Sequence, residues 1–292
     1  MPHPRVEQEA CPRILRRSPE VLLEGRDLVR GYGPQRVLRG IDLEIREGDR
    51  AALIGRNGAG KTTLLRVLSR LLHLEEGVLQ YRDSGTSVLL ISDSSTLVPK
   101  WNALQCARFL GGADPAIDRA VIQEEFERFG VSKFADQPVG TYSLGMGRRL
   151  MFALSALLKP NILLLDEPFL GLDAASIAVA ISYLEKLSPS QAMVLATHHP
   201  VQAIELCDLV LRLVDGHLYS EGRVQDINAM DVVTTTPHIL VQALREAGIE
   251  ADRLSQRRYR VTTTNSMGRT LELLSSSGCE ILGVEPVVST EP

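Results

Sequence analysis

Aromatic side chains are scarce in this chain, at 4 per cent of 292 residues. That argues against a stacking platform for single-stranded nucleic acid. Cysteine is also sparse: Cys11, Cys106, Cys207 and Cys279 lie about 70–100 residues apart, without the close pairs of a zinc site or the density of a disulfide framework. They read as buried or idle thiols in a reducing compartment. No apolar run approaches the ~18 residues of a membrane span; the best, Leu150 to Leu158, is fenced by Arg148, Arg149 and Lys159. Arg16-Arg17 is followed by Ser-Pro-Glu rather than an apolar stretch, so no secretory leader is expected and any membrane attachment is expected through a partner. The net charge is only −4, with a pI near 5.9, which gives no bulk attraction to nucleic acid or an anionic bilayer.

What is present is ordinary globular composition, 44 per cent apolar and 23 per cent charged, at a length for one large domain or one plus a small appendage. Residues 1–19 carry prolines and arginines without a period and read as a poorly ordered tail. Ile41–Arg46 alternates apolar and charged residues, a half-buried strand, whereas Ala51–Ile54 is apolar throughout, a strand buried on both faces. Thr62–Leu72 carries a helical stripe, and Val88–Ile91, Ile162–Leu165, Ala192–Thr197 and Leu209–Val214 read as further buried strands. Helices are expected over Trp101–Leu110, Ala116–Phe129 (capped at Asp114-Pro115), Leu144–Leu158 and around Val201–Leu206, with a hairpin turn at Asp215-Gly216. Strands alternating with helices predict a mainly parallel α/β sheet.

Composition shifts near residue 229. The remainder holds a stripe at Ile239, Leu240, Ala243 and Leu244, a strand Arg257–Thr263, a helix Arg269–Ser276 and a strand Glu280–Val284, the pattern of a small α+β domain. The expected division is therefore a tail over 1–19, an α/β domain over 20–228 with helices at about 97–145, and an accessory α+β domain over 229–292. No internal repeat is present, so one such unit is expected rather than two.

Gly55-Arg56-Asn57-Gly58-Ala59-Gly60-Lys61-Thr62 fits G-x-x-x-x-G-K-[ST] between a buried strand and an amphipathic helix. Phosphates need inward-pointing backbone N–H groups, and glycine lets the backbone curl tightly enough to supply them. The helix start adds the positive end of its dipole. In such a loop the lysine, here Lys61, meets the β- and γ-phosphates, and the hydroxyl, here Thr62, ligates Mg²⁺. A second motif, Asp166-Glu167-Pro168, closes the strand Ile162–Leu165. Carboxylates at a strand's carboxyl end sit where open α/β sheets collect ligands; Asp166 suits a Mg²⁺ contact and Glu167 the polarisation of an attacking water. Together the two motifs signal nucleotide hydrolysis.

Across about residues 21–225 the chain resembles the ATP-binding cassette (ABC) ATPases, the motor subunits of ABC transporters. Six elements stand in the family's order: Tyr32 at the adenine-stacking position, Gly55–Thr62 as Walker A, Tyr142-Ser143-Leu144-Gly145-Met146 as signature, Asp166-Glu167 as Walker B, Gly171-Leu172-Asp173 as D-loop, and Thr197-His198 as switch histidine. The resemblance implies a P-loop NTPase sandwich of mainly parallel sheet, antiparallel β-subdomain and helical subdomain. It implies ATP and Mg²⁺, with ATP contacts from Tyr32, Gly55, Arg56, Asn57, Gly58, Ala59, Gly60, Lys61, Thr62 and Thr63. Ser143 and Gly145 complete the site from a facing second subunit, and Asp173 of the D-loop is a further nucleotide contact. Glu167, His198 and Lys61 carry the chemistry, and Thr62, Asp166 and Ser92 lie about the metal. The implied partners are a membrane permease and a second ABC ATPase subunit, alike or related, on the cytoplasmic side of the inner membrane; no nucleic acid is expected.

The chain departs from the pattern in three places. Ser92 stands where the family usually has glutamine, Leu144 replaces the first signature glycine, and only 31 residues separate Lys61 from Ser92, which suggests a trimmed antiparallel subdomain. Leu144 and the C-terminal segment resemble ATPases of bacterial drug-, antibiotic- and polysaccharide-type exporters. The alternatives are a haem-exporter-type ATPase, a soluble ABC ATPase acting on nucleic acid or ribosomes, and a nucleotide-binding regulator with little turnover.

Overall fold

The computed structural model describes residues 19–92, 97–111, 118–197, 203, 205–223, 229–263 and 267–286. Its centre is the apolar strand set expected from the sequence. Six strands lie side by side in the order β5-β6-β7-β3-β8-β9: β3 (Arg50–Ile54), β5 (Val88–Ile91), β6 (Ile162–Asp166), β7 (Ala192–Ala196), β8 (Leu209–Val214) and β9 (His217–Arg223). All neighbours are parallel except β8 and β9, which the Asp215-Gly216 turn joins as an antiparallel hairpin.

Alternation along each strand assigns the two faces. Leu53, Leu164, Val194 and Ala196 share a core with Leu64, Leu65 and Leu68 of α1 (Lys61–Leu68). Leu163, Leu165, Met193 and Leu195 belong instead to the core of α4 (Leu144–Leu158) and α5 (Ala174–Glu185). Burial on both faces explains why these strands read as unbroken apolar runs. The α1 core is closed by an antiparallel sheet in the order β2-β1-β4, formed by β1 (Val21–Tyr32), β2 (Gln35–Arg46) and β4 (Glu76–Tyr81), which contributes Leu23, Leu28, Leu38 and Ile41.

Local boundaries differ from the sequence reading where side chains cap earlier or later than periodicity suggests. α1 stops at Leu68 rather than Leu72: Arg70 turns left-handed (φ 62°), its guanidinium stacks on Tyr81, and the Leu71 and Leu72 amides both return to the Arg66 carbonyl. α2 (Ala103–Gly111) begins after Trp101, because Asn102 and Gln105 exchange side-chain-to-backbone hydrogen bonds of 2.9 Å in a capping box. α3 (Arg119–Arg128) is capped by Asp118, which accepts from the Ala120 and Val121 amides, and closes at Gly130 (φ 68°). The expected cap at Asp114-Pro115 lies outside the described residues. α5 has no counterpart in the periodicity, since Ala-Ala-Ser-Ile-Ala-Val-Ala-Ile is apolar nearly all round and shows no stripe.

After Ala229 the chain forms β10 (Ala229–Thr234), α6 (Pro237–Glu246), β11 (Glu250–Arg253), β12 (Arg258–Thr262), α7 (Met267–Ser276) and β13 (Ile281–Pro286). The antiparallel order β11-β12-β10-β13 makes this a ferredoxin-like split βαβ arrangement. The sequence stripe holds, with Leu240, Ala243 and Leu244 of α6 buried. Periodicity gave no strand at β10, where a buried acid, Asp231, interrupts the apolar run. Cys106, Cys207 and Cys279 are buried free thiols.

Candidate active site

The fold brings the carboxyl ends of β3, β5, β6 and β7 to one edge of the parallel sheet, and most candidate residues lie just beyond them. After β3 the loop from Gly55 to Gly60 leaves Arg56, Asn57 and Gly58 exposed while Gly60 is buried under the first hairpin. Gly58 and Gly60 take left-handed φ values of 81° and 106°. At Gly60 a Cβ would also stand 2.8 Å from Val37, so glycine is required there twice over. Gly60 caps α1, so the helix starts at Lys61 with its first amides directed at the loop.

Lys61 is buried, and its Nζ donates to the Gly55 carbonyl at 2.7 Å and the Arg56 carbonyl at 3.3 Å. Burial lowers its pKa, while Glu167 and Asp166 pull it back up. The ammonium is thus held in the loop by carbonyls it can exchange for phosphate oxygens. Thr62 is half-buried and its side chain hydrogen-bonds Asp166. Thr63 is buried.

Asp166 closes β6. Burial raises its pKa; the Thr62 hydrogen bond opposes this, and the charge of Glu167 reinforces it. Glu167 follows in a left-handed conformation (φ 48°), a strained backbone for a side chain with a Cβ, costing about 1–2 kcal/mol. Its amide donates to the Ala196 carbonyl at 2.8 Å, and Thr197 Oγ1 donates to its Oε2 at 3.0 Å. Two bonds from β7 therefore fix a carboxylate that turns sharply off β6. Thr197, buried just after β7, is a site residue that its motif marks only as the neighbour of His198; its hydroxyl orients Glu167. Ser92, at the end of β5, is buried, and its carbonyl accepts from Arg148. His198 lies outside the described residues.

The other predicted contacts stand apart. Tyr32 ends β1, half exposed, with the Arg30 guanidinium 5.6 Å from its ring. Ser143 is the N-cap of α4 and accepts from the Met146 amide at 3.2 Å. Gly145 is buried against the loop after β6: a Cβ there would lie 2.2 Å from the Gly171 carbonyl oxygen. Asp173 caps α5 by accepting from the Ser176 amide at 2.8 Å, and pairs with Arg149 at 3.2 Å. Among the described residues no hydrogen bond or ion pair joins Ser143, Gly145 or Asp173 to the phosphate loop. A cavity of 1130 Å³ opens beside that loop, lined by Gly55–Ala59, Gln35–Val37, Thr197 and the 212–216 turn, with Val233, Leu282 and Val284 of the C-terminal sheet.

The donors present fit a Mg²⁺–nucleotide. Among the described residues no cluster of three or more His, Cys, Asp or Glu could hold a metal alone, but Mg²⁺ in such sites takes one or two protein ligands and completes its shell from phosphates and water. A hydroxyl already bonded to a carboxylate, Thr62 to Asp166, has that character.

Comparison with known proteins bears on the family and the fold. A family model described as ABC transporter matches residues 38–170. The aliphatic sulfonates import ATP-binding protein of Nocardia farcinica is 35% identical over 208 residues, covering 70% of this chain and 85% of the relative. The bacitracin transport ATP-binding protein of Enterococcus faecalis is 28% identical, covering 72% and 71%. Among solved structures, an ATP-binding subunit of an ABC transporter superposes with a TM-score of 0.62 at 26% identity, over 70% of this chain and 91% of that one. A dimeric ATP-binding cassette bound to ADP and phosphate shares the fold, with a TM-score of 0.59 at 20% identity over 68% and 98% of the two chains. A strand–loop–helix phosphate cradle after β3, a braced carboxylate after β6 on the same edge of the sheet and these likenesses converge: the chain belongs to the ATP-binding, ATP-hydrolysing subunits of ABC transporters.

Proposed function

We propose that this subunit hydrolyses MgATP to power a bacterial exporter through a separate membrane permease, working opposite a second ATPase subunit at the cytoplasmic face of the inner membrane. The observation that carries the catalytic part is the pairing of Glu167 with Thr197 beside the strand end that bears Asp166. Loop amides and Lys61 bind the β- and γ-phosphates. Thr62 and Asp166 would hold Mg²⁺, with Ser92 beside them, and the ion when bound would supply neutralisation of the phosphate charge. Glu167, oriented by Thr197, takes the proton of the attacking water, and His198 contacts the γ-phosphate. Tyr32 stacks on the base. Ser143 and Gly145 of the facing subunit present a helix N-terminus to the γ-phosphate from the other side, and Asp173 lies at the same seam. No described helix is long and apolar enough to cross a membrane, in keeping with a permease on a separate chain.

The exporter direction is supported by Leu144 in the signature and by the C-terminal α+β segment. An import reading is favoured by the sulfonate relative. Transport in proteoliposomes containing the copurified permease separates them: cargo leaving the ATP-bearing side supports export, and cargo accumulating there overturns it. For the chemistry, phosphate release by the wild type is expected to fall by roughly 10²–10⁴-fold in Glu167→Gln while MgATP binding persists. Equal rates in the two proteins would sink the hydrolytic assignment.

A further inference from the structure

The second turn of α4 carries two consecutive arginines that leave the helix in different directions. Arg148 is 3% exposed and donates to the Ser92 carbonyl at the end of β5, and its charge acts on Asp166 at the end of β6. Arg149 runs outward to Asp173, 3.2 Å away, which caps α5 after the loop that follows β6. One turn earlier Gly145 lies so close to Gly171 of the same loop that no Cβ fits between them. The first two turns of α4 are therefore fastened to the end of β5 and to the loop after β6. A buried guanidinium persists only where hydrogen bonds and nearby carboxylates compensate its desolvation. Arg148 has the Ser92 carbonyl as a hydrogen-bond partner and acts electrostatically on the β6 carboxylate, so displacing the end of β5 disturbs the helix that carries the arginine.

We propose that Arg148, seconded by Arg149, is a positioning residue that couples the two ATP sites of the subunit pair. It makes the Ser143–Gly145 end of α4, offered to the facing subunit, move as one piece with the Ser92 and Asp166 strand ends of its own site. The inference rests on the ATPase reading above and extends it from one site to communication between two. Arg148 does not touch the reacting atoms. Its loss uncouples what its own subunit binds from what the subunit presents to its partner.

The test uses the full chain. In a Glu167→Gln background, MgATP affinity is measured by calorimetry and ATP-driven pairing by light scattering; kcat, KM and the Hill coefficient are measured with Glu167 intact. Arg148→Met is expected to leave MgATP affinity within about threefold, to lower kcat by roughly 10–100-fold, as outer-shell substitutions do, and to bring the Hill coefficient toward one. Arg148→Lys, which keeps the charge and one donor to the Ser92 carbonyl, is expected to recover most of the lost pairing. Arg149→Gln removes only the half-exposed ion pair, and weakens pairing by about threefold; it keeps the test alive should Arg148→Met fold poorly. Wild-type pairing and cooperativity in both Arg148→Met and Arg149→Gln would overturn the proposal. So would loss of nucleotide affinity in step with thermal stability and without rescue by lysine. A wild-type chain that binds no MgATP would overturn the ATPase reading itself, which distinguishes the two failures.

Discussion

Asp166 and Asp231 are both largely withdrawn from water, one at a strand end of the parallel sheet and the other inside the C-terminal antiparallel sheet, yet their surroundings push them in opposite directions. Burial raises the Asp166 pKa and the charge of Glu167 reinforces this, against the Thr62 hydroxyl and the charges of Arg148 and Arg66. At Asp231 burial also pushes upward, but Arg260 and Arg258 donate to its two oxygens at 2.9–3.3 Å and hold the carboxyl below its usual range. The first is a charge left undersatisfied at a place where a cation can complete it. The second is a finished ion pair across neighbouring strands β10 and β12. The contrast separates a site from a staple: groups that do chemistry carry unbalanced electrostatics, whereas structural ones are neutralised in place.

The largest effect that would sharpen this contrast is expected at Asp166. Asp166→Asn should cut Mg²⁺-dependent phosphate release by more than about 100-fold. The same substitution should stabilise the nucleotide-free chain by about 1 kcal/mol, because it removes a charge whose burial disfavours folding. Urea titration without Mg²⁺ checks the second half, and a destabilised variant would break the comparison. At Asp231 the sign is reversed. Asp231→Asn should cost the C-terminal segment about 1–2 kcal/mol, discounted because both guanidinium groups remain partly exposed, while ATP hydrolysis stays near wild type. Hydrogen exchange in β10 and β12 reads this locally, and fluorescence of Trp101, the chain's one tryptophan, monitors the cassette independently.

The same pair predicts a pH dependence. A carboxyl whose folded pKa is depressed stabilises the fold above its unfolded pKa, and that contribution is lost as pH falls through the folded value. The Asp231 contribution should therefore be intact at neutral pH and fade below the ordinary aspartate value of 3.8. Asp231→Asn should abolish that part of the acid dependence in exchange measurements. A smaller effect is expected at Thr197. Thr197→Val keeps the shape but not the hydroxyl that holds Glu167, and should lower kcat by about tenfold with little change in KM. An equal fall in nucleotide affinity would show that the residue serves the loop rather than the base.

The site was legible in the sequence where chemistry needs fixed residue types at fixed spacing. Gly58, Gly60, Lys61 and Thr62 announce a phosphate loop because few other residues tolerate its backbone or supply its donors. The parallel strands were legible because burial on both faces leaves only apolar residues. Arg148, Arg149 and Thr197 were not, since their significance lies in partners 24–56 residues away, at Ser92, Asp173 and Glu167. The motif marks Gly145 as a ligand contact, and its surroundings also give it a packing reason, the Gly171 carbonyl. β10 escaped because an acid in its middle contradicts an apolar strand until Arg258 and Arg260 are seen across the sheet. α5 escaped because a helix apolar on nearly every side has no stripe to read.

By itself the sequence determined the phosphate loop, the carboxylate pair and the alternation of buried strands with helices, because local backbone geometry and face-by-face burial act over a few residues. Tertiary structure alone decided which strand ends meet, which hydroxyl orients Glu167, and that the C-terminal strands pair as a split βαβ. Those outcomes depend on contacts between residues far apart in the chain, and no short-range pattern encodes them.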